Sequence, residues 1–311
     1  MLDPLLERFR NHDRNALSRL VSLVARGERS DQILEQLGRP TKPARVVALT
    51  GSGGVGKSTL TGKLIEQVRE RGQTVAVLAC DPQSPLTGGA LLGDRFRMPS
   101  RPDDDGVFIR SLATAGGRGA VAEHLDALIR LLEAYGFEVI LIETVGAGQG
   151  DTAVRELVDV LVLLLQPETG DDLQWEKAGL LEVADAIVIH KADLPGAERV
   201  EAQVLATQAL SMAPPVPVLR VSARNGAGLA ELWSAIAALP LRRGDNASAG
   251  DLVGLAQALL AERFAAARRG GDADLALLLD RWQRGELDAR TAAAELLQRL
   301  ARHSYTPRSL E

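Results

Sequence analysis

The run Val46-Val-Ala-Leu-Thr50 passes directly into Gly51-Ser-Gly-Gly-Val-Gly56-Lys57-Ser58-Thr59, after which a helix is expected. An apolar strand, a glycine loop ending in Lys-Ser and a helix form a phosphate cradle. Glycines let successive backbone N–H groups turn inward, and the helix adds the positive end of its dipole. In this reading Gly51, Ser52, Gly53, Gly54, Val55, Gly56 and Thr59 wrap the phosphates. Lys57 supplies a point charge for the β- and γ-phosphates, and Ser58 a hydroxyl for Mg²⁺. The expected ligand is a nucleoside triphosphate.

That unit also constrains the rest of the chain. Further Val/Ile/Leu runs follow at Val75 to Cys80, Val107 to Leu112, Val139 to Glu143, Val160 to Gln166, Ala186 to His190 and Val218 to Ser222. Amphipathic stretches separate them. Little polar alternation interrupts them, as befits parallel strands covered on both faces. The reading is an α/β, doubly wound, mostly parallel sheet over residues 44–240, with ligands at the strands' carboxyl ends. Before it, Leu17, Leu20, Val21 and Val24 recur at helical spacing, so residues 1–43 read as a helical extension ended by Gly38-Arg-Pro-Thr-Lys-Pro43. Residues 241–311 are Ala/Leu/Arg-rich and read as a second helical extension. Arg95 to Gly106, with three consecutive Asp, reads as a surface loop.

Composition narrows the partners. Thirty-six Lys and Arg against 41 Asp and Glu leave a net charge of −5, a poor match for nucleic acid or an anionic membrane. The single cysteine, Cys80, excludes an intrachain disulfide and a Cys-rich zinc site. The longest apolar run, Val160 to Leu165, is far below the roughly 20 residues that span a bilayer. The opening residues hold acids and Arg where a secretion signal needs an apolar core. A reduced, cytoplasmic protein is expected.

Three acids are candidates for Mg²⁺, which prefers hard oxygen ligands: Asp81, Asp94 and Glu143. Asp81 and Glu143 follow apolar strands, where an α/β fold opens its crevice. In Glu143-Thr-Val-Gly146 the Gly146 N–H is placed to sense the γ-phosphate, which makes the segment a candidate switch. Later, Ile187-Val-Ile-His190-Lys191-Ala192-Asp193 and Val221-Ser222-Ala223-Arg224 end successive strands. A carboxylate at Asp193 accepts from the ring N–H and exocyclic amine of guanine, whereas adenine would present a lone pair. Lys191 is expected to lay its stem over the base, and the Ala223 N–H to donate to the guanine oxo group. GTP-binding proteins generally carry Asn where His190 stands.

Taken together, these motifs resemble the MeaB/ArgK-type P-loop GTPases, a family that includes the human methylmalonic aciduria type A protein. The resemblance rests on Gly51 to Thr59, Asp81 to Met98, Phe108 to Ala120, Glu143 to Gln149, Gly170 to Gln174 and Lys177 to Gly179. It implies a GTPase that gates adenosylcobalamin loading by an adenosyltransferase and protects or reactivates an adenosylcobalamin-dependent acyl-CoA mutase. Such proteins are homodimers, held partly by their C-terminal helices. By matching positions, Ser58, Asp81, Asp94 and Glu143 would surround Mg²⁺. Residues 170–177 would be a further switch, with Lys177 a charge stabiliser. The catalytic expectation is therefore Lys57, Asp81, Glu143 and Lys177. Departures from the pattern are Gly53 in place of Pro, Trp175-Glu176 in place of Gly-Ile, and His190.

Other classes fit less well. A nickel-enzyme metallochaperone GTPase would want clustered soft or imidazole ligands, and the chain offers one Cys with His12, His124, His190 and His303. A partition-type ATPase would carry Lys at Ser52. A signal-recognition GTPase would want a Met-rich domain, and there are three methionines.

Overall fold

The computed structural model describes residues 2–38, 40, 42–82, 104–114, 120–145, 154–167, 178–211, 214–243 and 272–302, with residues 260, 264 and 267. The chain divides into two compact units, Met1–Gly244 and Asp245–Glu311.

In the first unit three helices, α1 (Asp3–Arg10), α2 (Arg14–Ala25) and α3 (Ser30–Leu37), precede the sheet. The strands are β1 (Arg45–Gly51), β2 (Val75–Pro82), β3 (Val107–Thr114), β4 (Val139–Glu143), β5 (Val160–Leu165), β6 (Ala186–His190) and β7 (Val218–Val221). Between them run α4 (Lys57–Glu70), α5 (Ala120–Tyr135), α6 (Ala178–Val183), α7 (Ala197–Leu210) and α8 (Leu229–Ala238). The seven strands form one sheet in the order β3-β2-β4-β1-β5-β6-β7, and every pairing is parallel. The sequence places these strands to within one or two residues at each end. β2 and β3 run on to Pro82 and Thr114, because they pair along their whole length.

Both sheet faces are buried, which is why the strands lack polar alternation. On β1, Val46 and Ala48 enter a core shared with α1, α2 and α5, whereas Val47 and Leu49 enter one shared with α4 and α8. The helical preface is part of this packing: Leu17, Leu20, Val21 and Val24 of α2 are fully buried. Asp13 caps α2 by accepting from the Asn15 and Ala16 N–H groups. Next to it, Arg14 donates to the backbone carbonyls of Asp105 and Val107, pinning α2 to the start of β3. Of the expected loop 95–106, only residues 104–106 lie within the described part.

The sheet's amino-terminal end is held by buried carboxylates. Asp159, 1% exposed, accepts from the N–H groups of Val46, Arg242 and Arg243 at 2.8–3.0 Å. Glu133 accepts from the Ala44 N–H and the Arg243 guanidinium. These bonds fasten the chain leaving α8 beneath β1 and β5, opposite the end where Gly51 lies.

The second unit contains α9 (Ala273–Gln283) and α10 (Ala289–Arg302). Asp272 caps α9, and Arg281–Glu295 and Arg299–Asp274 ion pairs join the two helices. Of the expected helical extension, residues 244–271 lie almost wholly outside the described residues. No helix among the described residues is long and apolar enough to cross a membrane.

Candidate nucleotide site

β1 ends at Gly51 in the middle of the sheet, with β4 on one side and β5 on the other. Strand order reverses there, which opens a crevice at the carboxyl ends. The backbone at Gly51 has φ +148, and a Cβ there would sit 2.5 Å from the Leu164 carbonyl oxygen. Gly54 and Gly56 have φ of +76 and +99. The loop closes on α4, whose first residue is Lys57 and whose start has no side-chain cap. Its first-turn N–H groups therefore face the crevice as an anion site.

Lys57 is 7% exposed, and its ammonium donates to the carbonyls of Gly51 at 2.9 Å and Ser52 at 3.3 Å. The loop thus holds its own cation at the mouth of the cradle. Ser58 donates its hydroxyl to the Glu143 carboxylate at 2.6 Å, and both are buried. Residues 85 apart in sequence meet because β1 and β4 are neighbours in register, with Leu49 opposite Glu143. Two hard oxygen donors at the phosphate end suit Mg²⁺. Thr144, next in the chain, donates its N–H to the Leu49 carbonyl and is also buried.

Asp81 is the seventh residue of β2, at its carboxyl end, paired with Ala113 of β3. Its side chain, Asp94, Gly146, Lys177 and Trp175 lie outside what is described. Among the described residues no three His, Cys, Asp or Glu side chains gather as a metal-binding group.

Beyond β6 and β7 the second half of the site takes shape. Asp193 accepts from the Ser222 hydroxyl at 2.6 Å, and the Arg224 guanidinium stands 3.8 Å from its other oxygen. The Ser222 hydroxyl holds the Asp193 carboxyl below the usual carboxylate range, with Arg224 acting in the same direction. It is therefore an acceptor at neutral pH. Ala192 donates its N–H to the Val221 carbonyl, which ties the two loops. Lys191 has φ +56, a conformation rare for a side-chain-bearing residue, and lies directly between His190 and this tie.

His190 is where the sequence says least. It is 3% exposed, and its Nδ1 lies 2.7 Å from the Val55 carbonyl oxygen. The carbonyl only accepts, so Nδ1 carries the proton and Nε2 is the bare nitrogen. The ring also fills the space where a Cβ on Gly56 would be, 2.5 Å from Cε1. This contact spans 135 residues, and no local pattern announces it.

Comparison with known proteins completes the picture. The sequence profile described as "Methylmalonyl Co-A mutase-associated GTPase MeaB" matches residues 17–244. The chain belongs to the MeaB family. A protein of Pyrococcus abyssi (strain GE5 / Orsay) that carries the name GTPase is 44% identical over 245 residues, covering 76% of this chain and 75% of its own. The "Fused isobutyryl-CoA mutase" of Geobacillus kaustophilus (strain HTA426) is 38% identical over 210 residues, 64% of this chain and 19% of its own length. Among solved structures, a LAO/AO transport system kinase superposes with a TM-score of 0.67 at 24% identity, covering 96% of this chain and 97% of that one. That likeness is one of fold. As a MeaB-family GTPase, the chain binds guanine nucleotide and hydrolyses GTP.

Proposed function

We propose that the chain is the nucleotide-driven chaperone of an adenosylcobalamin-dependent acyl-CoA mutase, with GTP hydrolysis signalling cofactor loading and rescue. The observation that carries the site reading is the placement of three parts at the carboxyl end of one sheet: the cradle 51–59, the Ser58–Glu143 pair and the Ser222-braced Asp193. The mutase client is supported by the family's description and by the fused relative, which has a segment related to this chain within a protein named as a mutase. Methylmalonyl-CoA and 2-hydroxyisobutyryl-CoA mutases are both of the right class. A cobalamin adenosyltransferase is the proposed second partner.

Phosphoryl transfer needs positioning and charge more than covalent help from the protein. Gly51 to Thr59 seat the phosphates, and the Lys57 ammonium meets the β- and γ-phosphate oxygens. Ser58 and Glu143, with Asp81 and Asp94, would hold Mg²⁺, which would supply positive charge to the phosphate oxygens. A water oxygen bonds to the γ-phosphorus as the bond to the β–γ bridging oxygen breaks, one water proton passing by way of the phosphate oxygens to solvent, leaving GDP and phosphate. Asp81 and Glu143 are our choices for orienting that water, and Lys177 for steadying charge when residues 170–177 close. Gly146 and its neighbours report loss of the γ-phosphate to the partner. At the other end Asp193 reads the guanine edge, Lys191 covers the base, and the Ala223 N–H meets the oxo group. Part of this geometry forms only with the client, so intrinsic turnover is slow and client-stimulated.

The proposed organisation is a helical preface (1–43), the GTPase domain (44–240) and a dimerising tail (241–311). The tail reading is supported by Leu277, Trp282 and Leu297, which are large, apolar and exposed on α9 and α10. Lys57→Ala abolishes hydrolysis. Asp193→Asn shifts preference from GTP to xanthosine triphosphate, because the new amide donates where the xanthine ring presents an oxo group. Unchanged GTP selectivity in Asp193→Asn refutes the base assignment. Client identity is tested by co-purification with the cobalamin-dependent mutase encoded nearest this chain, and failure of GTP to alter that complex refutes the chaperone reading.

A further inference from the structure

We infer that Thr144 is a positioning residue for GTP hydrolysis, its hydroxyl held at the end of β4 for a hydrogen bond that forms only when the γ-phosphate is bound. It rests on the nucleotide reading above and adds a residue to it. Thr144 is 4% exposed, and its Oγ1 is buried with no hydrogen-bond partner among the described residues. A buried hydroxyl left unpaired lowers stability, and valine would fill the same space without that cost. The position of Thr144 in the sheet shows what the hydroxyl is kept for.

Thr144 is the last residue of its segment that the sheet holds. Its N–H donates to the Leu49 carbonyl at 3.1 Å, one step beyond the Leu49–Glu143 register pair. Val145, next in the chain, is 42% exposed. Side chains alternate along β4: Val139 and Leu141 enter the core with α4 and α8, whereas Ile140 and Ile142 enter the core with α2 and α5. Glu143 continues the first set, which is how it meets Ser58 at the start of α4. Thr144 continues the second. Val154, at the far end of the segment that Val145 begins, is buried in that second core. Two consecutive residues therefore address different neighbours. Glu143 faces the phosphate-binding helix, and Thr144 faces the side on which the chain returns. The hydroxyl is already out of water and fixed by the Leu49 bond, so a partner that arrives with the γ-phosphate meets a donor that needs no further desolvation. GDP, lacking that phosphate, leaves the hydroxyl as it is.

Thr144→Val removes the hydroxyl and keeps the shape, whereas Thr144→Ser keeps the hydroxyl. Three measurements on the full chain separate the possible roles. They are urea denaturation without nucleotide, calorimetry in Mg²⁺ with GDP and with a non-hydrolysable imido analogue of GTP, and single-turnover hydrolysis of GTP. The expected Thr144→Val protein unfolds at the same or a higher urea concentration than wild type and binds GDP equally well. It binds the triphosphate analogue about tenfold more weakly, the scale of one buried hydrogen bond, and hydrolyses GTP about tenfold more slowly. Thr144→Ser binds both nucleotides like wild type. A Thr144→Val protein that unfolds at lower urea, or does not fold, means that the hydroxyl is already bonded without nucleotide, and overturns the inference. Equal losses for GDP and the analogue, no loss for either, or the same loss in Thr144→Ser overturn it as well, while leaving the nucleotide reading intact. Wild-type protein that binds neither nucleotide refutes the reading itself.

Discussion

Two glycines of one loop, residues 53 and 56, face opposite demands. At Gly56 the backbone sits at φ +99 and a Cβ would meet the buried His190 ring at 2.5 Å. At Gly53 nothing among the described residues lies within 4 Å of a Cβ. Gly56→Ala is therefore expected to weaken GTP binding at least tenfold, from left-handed strain of about 1–3 kcal/mol plus displacement of the ring. Gly53→Ala is expected to bind normally. Calorimetry on the two variants checks this, and a normal Gly56→Ala would show that the ring moves freely. The same contrast marks what a sequence discloses. Lys57, Ser58 and Asp193 were legible because each belongs to a short motif whose chemistry is local. His190 was legible only as a departure from Asn, since its partner, Val55, comes from another strand's loop. Ser222 was readable as part of the guanine loop, but its grip on Asp193 was not. Ser222→Ala should let that carboxyl's pKa rise toward its ordinary value and weaken GTP binding. An NMR titration of Asp193 beside a binding isotherm reads both effects, and an unmoved pKa would remove Ser222 from the account.

Strands and helices were the most readable level, because burial of both sheet faces writes itself as uninterrupted Val, Ile and Leu. The order of strands did not follow from those runs alone. It is the β1–β4 adjacency that brings Glu143 to Ser58, and that adjacency is a property of the assembled sheet. The carboxylates beneath the sheet were missed for a related reason. Asp159 precedes β5 with no motif around it, yet it accepts three backbone N–H groups from two distant segments. Replacing it with alanine strands donors that cost about 1–3 kcal/mol each when buried. Asp159→Ala should lower unfolding free energy by about 3 kcal/mol in urea denaturation. GTP affinity in the folded variant should be unaltered, because the network lies at the sheet end opposite Gly51. A loss of affinity without a loss of stability would mean that the two ends communicate.

At the scale of the molecule, the central claim is that one guanine nucleotide binds across three loops set at the carboxyl ends of β1, β6 and β7, and that its terminal phosphate is felt by a partner. Everything proposed about mutase loading depends on that first event. Titration calorimetry of the purified chain with GTP and with ATP, in Mg²⁺ buffer at neutral pH, tests it most directly. The account predicts saturable heat with GTP at one nucleotide per chain, and much weaker binding of ATP. Equal binding of the two nucleotides, or no heat from GTP at concentrations above those found in cells, would contradict it.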